Sequence, residues 1–205
     1  MKIKAIFFDL DNTIYPVSSI GEELFEPLFG LIEQSGELDD LEAIKAEIQR
    51  KPFQQVAQKH GLSKELTQKA IDMLQDLTCD MPMSPFADYA STRELPLRRF
   101  LITAGFTKMQ QSKVTQLKLE GDFEEIHIID PMKTNENKKA RFKKIAEANS
   151  FAPQEVLVVG DDDASEIQAA RDLGMKAVLY DTLGLFADVK DVIKINSLKE
   201  LPDHI

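Results

Sequence analysis

Cysteine is nearly absent. Cys79 is the one cysteine in 205 residues, so no internal disulfide can form, and a reducing compartment, the cytoplasm, is expected. No His or Asp pattern surrounds it, and it is read as a small buried hydrophobe. No run approaches the roughly 18 consecutive apolar residues of a membrane span. The opening Met1-Lys2-Ile3-Lys4 leads into a strand-like run without an h-region or cleavage site, so no signal peptide is expected. Positive charge is also short: 25 Lys and Arg stand against 35 Asp and Glu, a formal net charge of -10. Such a surface repels a nucleic-acid duplex or an anionic membrane, so neither is expected as a partner. It would repel an anionic metabolite too, unless a metal and a lysine reverse the sign locally. With 43% hydrophobic and 29% charged residues, the chain can bury a core, which excludes general disorder.

Residues 3–8 form a short, mostly apolar run that ends abruptly in Asp9-Leu10-Asp11-Asn12-Thr13, as a strand buried on both faces does. Similar runs lie at 99–103, 125–129, 156–160 and 175–180. Helix-like segments at 107–119, 136–149 and 164–173 alternate with the later ones, and Gly174 follows the last where a helix-ending glycine is expected. The alternation predicts an α/β fold, a doubly wound (Rossmann-like) parallel sheet. Residues 17–85 read differently. Leu24, Leu28 and Ile32 recur at helical spacing, as do Leu41, Ile44 and Ile48, then Leu66, Ala70, Leu74 and Leu77. They predict an all-helical cap domain over 17–85, inserted into a core domain made of 1–16 and 86–205.

Ligands of such sheets bind at the carboxyl ends of the strands. There the sequence places Asp9 and Asp11, then Thr103, Ala104 and Gly105, then Asp161, Asp162 and Asp163, with a lysine-rich stretch at 133–144. Three carboxylates from two strand ends make a hard oxygen site of the kind Mg²⁺ takes, leaving positions for water and a substrate phosphate. Asp9 as nucleophile would form an aspartyl-phosphate, and Asp11 could protonate the leaving oxygen and later deprotonate water. Alone, each piece has an ordinary explanation. An Asp-x-Asp is commonly a turn or cap, and a calcium loop is excluded by Ile14 at its sixth position and Ile20 at its twelfth. Their joint order at strand ends is what carries the chemistry.

Phe8-Asp9-Leu10-Asp11-Asn12-Thr13 resembles the first motif of the haloacid dehalogenase-like hydrolase superfamily. Leu101-Ile102-Thr103-Ala104-Gly105 resembles its second motif. Val158-Val159-Gly160-Asp161-Asp162 with Glu166-Ile167-Gln168-Ala169-Ala170 resembles its fourth. The helical insertion is similar to the helical cap of one of its subfamilies. The resemblance implies Asp9 as nucleophile, Asp11 as acid and base, and Mg²⁺ held by Asp9, Asp161 and the Asp11 carbonyl. It implies Thr103 as a phosphate donor, Leu10, Thr13, Ala104 and Gly105 around the phosphate, and Asp162 and Glu166 supporting the metal ligands. Asp11 points to a phosphatase or phosphomutase, since the dehalogenases lack that acid. The chain departs from the pattern at Ala104, where asparagine is usual, and at Glu166, which replaces an aspartate after a loop one residue longer. For the third-motif lysine, Lys138, Lys139, Lys133 and Lys108 compete. Lys138 is chosen because Phe142 follows at i+4, where a helix leaving the site would turn inward.

The expected activity is Mg²⁺-dependent hydrolysis of a small phosphorylated metabolite by a monomer or weak dimer. Residues 9–16 look like the first motif of the pyrimidine 5′-nucleotidase branch, which ranks nucleoside monophosphates first, phosphoglycolate or a sugar phosphate second and mutase activity third. Tyr15 and Pro16 are candidates for a hinge or a substrate contact. A receiver module is disfavoured by the order of its acids and the insertion, and a silent phosphate-binding homologue by the intact aspartates. His60, His127 and His204 fit no role, and His127 is expected to pack in its apolar strand.

Overall fold

Six short strands pair entirely in parallel: β1 (Ala5–Phe8), β2 (Arg98–Ala104), β3 (Glu125–Ile129), β4 (Val156–Gly160), β5 (Lys176–Tyr180) and β6 (Ile193–Ile195). The computed structural model describes residues 2–38 and 40–205. The sheet order is β3-β2-β1-β4-β5-β6, so the winding reverses at β1 and the ligand crevice of a doubly wound fold opens at its carboxyl end. Strand alternation builds two cores. Ile6, Phe8, Leu101, Leu157 and Val159 face one; Phe7, Phe100, Ile102, Val156 and Val158 face the other. β6 has three residues, too few to announce itself by periodicity. β3 lies at the sheet edge, and there the expectation for His127 fails. Its half-buried ring meets Glu125 at 2.8 Å and Arg141 at 3.2 Å, because an edge strand leaves polar partners within reach.

Between β1 and β2 the described helices are α1 (Gly21–Leu24), α2 (Glu26–Ser35), α3 (Leu41–Ile48), α4 (Phe53–His60) and α5 (Lys64–Asp76). Asp40 and Ser63 cap α3 and α5 by accepting from backbone N–H groups. The apolar stripes of this segment, among them Leu28, Ile32, Ile44 and Leu74, join the first core together with Met109 and Val114 of α6 (Thr107–Gln116). On the other face, Phe142 of α7 (Lys138–Ala148) sits 5.6 Å, ring to ring, from Phe7, and α8 (Gln168–Leu173) adds Ala169 and Ala170. A π-turn over Asp163–Ile167 leads into α8. No described helix is long and apolar enough to cross a membrane. Cys79 is wholly buried.

Candidate active site

The site starts from the tight turn after β1. Asn12 adopts a left-handed backbone (φ 55°), which asparagine tolerates better than most residues, and its Oδ1 accepts from the Val17 N–H at 3.1 Å. The turn returns the chain at once, and Asp9 and Asp11 stay at the strand end.

Towards β4, Lys138 at the start of α7 reaches Asp9 Oδ1 at 2.8 Å and Glu166 Oε2 at 2.7 Å, all three side chains nearly fully buried. Carboxylate oxygens of Asp9, Asp161 and Glu166 lie within 4.8 Å of one another. Glu166 lies within the π-turn and is buried there. Glu166 crosses directly over Gly160, where any Cβ would collide with it. Its Oε1 accepts from the Asp162 N–H at 2.8 Å. Both Glu166 oxygens therefore have donors, and Asp9 and Asp161 are the carboxylates best placed to hold a metal. Burial pushes Asp9 up to about 7, with Lys138 pulling down and Glu166 pushing up. Burial, then Glu166 and Asp9, push Asp161 up to about 8. Burial disfavours the charged form of Lys138, yet Asp9 and Glu166 hold it well above its ordinary value. Two buried carboxylates, Asp9 and Glu166, and the half-buried Asp161 outnumber the cations beside them, the buried Lys138 and the part-exposed Arg50, and such a hard oxygen set fits a divalent cation.

Towards β2, Asp11 has three donors: Lys113 Nζ at 2.8 Å on Oδ1, the Tyr15 hydroxyl on Oδ1, and Gln110 Nε2 at 2.8 Å on Oδ2. Burial alone would raise the Asp11 carboxyl; Lys113 above all, then Tyr15 and Gln110, hold it below its ordinary value. Gln110 also donates to Thr103 Oγ1 at 2.6 Å.

The other residues singled out from the sequence separate by place. Leu10 and Thr13 are wholly buried beneath the turn, and the Thr13 hydroxyl has no partner among the described residues. Ala104 is exposed at the strand end, whereas the Gly105 N–H is engaged by the Ile129 carbonyl at 3.0 Å. Asp162 caps the π-turn by accepting from the Ala164 N–H. Lys133, Lys139 and Lys108 are exposed and pair with Asp130, Asp172 and Asp76. Sequence reasoning missed Gln110 and Lys113, although both occupy one face of α6. It also missed Arg50, which follows α3 and lies 3.3 Å from Asp161 Oδ2. Arg50 lines a cleft of about 80 Å³ with Asn12, Ser18, Phe86, Asp161 and Leu185.

The model of the haloacid dehalogenase-like hydrolase family matches residues 3–174. A glyceraldehyde 3-phosphate phosphatase of Methanopyrus kandleri is 26% identical over 194 residues, 86% of this chain and 83% of that protein. A structure from Lactobacillus plantarum, described as a phosphoglycolate phosphatase, superposes with a TM-score of 0.78 at 16% identity, covering 100% of both chains. A haloacid dehalogenase-like hydrolase of Streptococcus pneumoniae gives 0.75 at 19% identity over 99% of both.

Proposed function

The chain belongs to the haloacid dehalogenase-like hydrolases and is a phosphoric monoester hydrolase; from that premise we propose that it hydrolyses a small phosphate ester through an aspartyl-phosphate on Asp9. The observation that carries the reading is Lys138 Nζ, 2.8 Å from Asp9 Oδ1 at the end of β1. The lysine offsets the charge of nucleophile and phosphate in a site with little water. Asp9 attacks phosphorus, the ester P–O bond breaks, and Asp11 protonates the leaving oxygen. Asp11 then takes a proton from water, which attacks the same phosphorus, breaks the Asp9–phosphate bond and releases inorganic phosphate. Its donors hold Asp11 as a carboxylate at rest. The first proton therefore enters with the substrate, whose phosphate carries one below its second pKa of about 6. The proton taken from water leaves with the phosphate product, which restores the Asp11 carboxylate. Mg²⁺, held by Asp9, Asp161 and the Asp11 carbonyl, would neutralise phosphate charge and keep the group in line. Thr103 would donate to a phosphate oxygen.

Residues 17–85 serve as a cap over the crevice, excluding water and reading the leaving group through Arg50. The cleft of about 80 Å³ has room for about half a dozen water-sized groups at ~10–15 Å³ each. A leaving group of a few carbons fits it, such as the glyceraldehyde part of the substrate named for the Methanopyrus kandleri relative. A nucleoside monophosphate ranks second. Its support is the likeness of residues 9–16, but Tyr15 is wholly buried and bound to Asp11 rather than open to a base. The setting is the cytoplasm. The test compares kcat/KM for glyceraldehyde 3-phosphate, phosphoglycolate, UMP and CMP, with Mg²⁺ and with EDTA. At least tenfold preference for the short esters, about 1.4 kcal/mol, is expected, with loss in EDTA and phosphate trapped on Asp9. Full activity in EDTA, or label on another residue, overturns the mechanism; preference for UMP overturns the substrate.

A further inference from the structure

Helix α6 lays two buried polar side chains, three residues apart on one face, against Asp11. Lys113 is 2% exposed, and its ammonium has Asp11 as its ion-pair partner at 2.8 Å among the described residues. A buried ammonium costs several kcal/mol unless it is well paired, so its position is tied to this carboxylate. Gln110, 1% exposed, uses both amide hydrogens, one on Asp11 Oδ2 and one on Thr103 Oγ1. Room for it comes from Gly105, where a Cβ would stand 3.0 Å from Gln110 Cγ. One amide thus registers the turn after β1 to the end of β2. Tyr15 completes the set on Asp11 Oδ1, with Lys113 Nζ 5.7 Å from its ring centre.

We infer that Lys113 and Gln110 are positioning residues for the hydrolytic reaction: they fix the Asp11 carboxylate in one orientation, in register with Thr103, to meet the leaving oxygen and then the attacking water. Neither touches the reacting atoms. The inference rests on reading Asp11 as acid and base, and the experiment separates the two.

With Mg²⁺ present, kcat/KM is measured for an alkyl ester, phosphoglycolate, and for p-nitrophenyl phosphate, whose leaving group needs no proton. Lys113→Met should lower the alkyl value about 10- to 100-fold, within the roughly 10²–10⁴ range of acid–base help, and the aryl value less than threefold. Lys113→Arg should recover most of the alkyl loss. In an Asp11→Asn background, Lys113→Met should cost less than a further twofold, because its effect passes through Asp11. Gln110→Met leaves the ion pair intact and should show the same alkyl-selective loss more weakly, which keeps the test open if Lys113→Met does not fold. Equal losses for both esters, or additive losses with Asp11→Asn, would make these residues structural and overturn the inference. Wild-type turnover of phosphoglycolate by Asp11→Asn would instead overturn the acid–base reading beneath it.

Discussion

The two sides of β1 are compensated in opposite ways. Towards β4, the buried Asp9 and Glu166 share one buried lysine, and the half-buried Asp161 has only the part-exposed Arg50 among the described residues. Asp9 and Asp161 are driven up to about 7 and about 8. Towards β2, a single carboxylate has three donors and is held below its ordinary value. The first half lacks positive charge that a cation can supply; the second is complete within the chain. On the proposed reading, a residue on the first side would act through a bound cation and the phosphate, and one on the second through the orientation of Asp11.

The largest break is expected from Asp9→Asn. An amide is a far poorer nucleophile, and activity should fall on the order of 10⁴-fold or more with circular dichroism unchanged. Near-wild-type turnover would place the nucleophile elsewhere. Next comes Lys138→Met, which strips the first half of its one buried cation. A loss of about 10²–10³ in kcat is expected, the scale of removing a preorganised stabilising group; a loss under tenfold would contradict the assignment.

A third experiment sharpens the contrast through pH. Asp9 and Asp161 have raised carboxyls, so between about pH 5.5 and about pH 8, above the range in which ordinary carboxyls titrate, these two groups hold protons in the folded protein that the unfolded chain has lost. The stability of the metal-free protein must then fall as pH rises. Asp11, lowered, is ionised in both states above about pH 5.5 and adds no slope there. The melting midpoint without metal should decline from about pH 6 to about pH 8, and the gain on adding Mg²⁺ should be larger at about pH 8. A midpoint that climbs over this range would count against the buried carboxylate set. The smallest effects belong to lysines outside both halves. Lys108→Ala, Lys133→Ala and Lys139→Ala remove exposed pairs worth about 0–1 kcal/mol, and activity should stay within about twofold.

The sheet was legible because its strands are buried on both faces and end abruptly in polar residues, which marks both element and direction. β6 was not, since Ile193-Lys194-Ile195 has no run to read. Asp9, Asp11 and Asp161 stood out because strand ends admit few roles for clustered carboxylates. The second half was illegible for a physical reason. Lys113 and Gln110 lie on a helix with a weak apolar stripe, where polar residues ordinarily face water; only the packing of α6 against the turn after β1 turns them inward. Glu166 was visible beside the aspartates, but the π-turn that holds it is a backbone choice with no residue signature.

Gly160 shows that vacancy itself can be a working part. All the charges of the first half would survive Gly160→Ala, yet the added methyl would claim the space through which Glu166 crosses. The carboxylate would swing away from Lys138, and the ammonium would lose one of the two anchors that aim it at Asp9. At the end of β4 the arrangement of Lys138 and Glu166 therefore depends on volume as well as charge, since even the smallest added side chain would force Glu166 to shift.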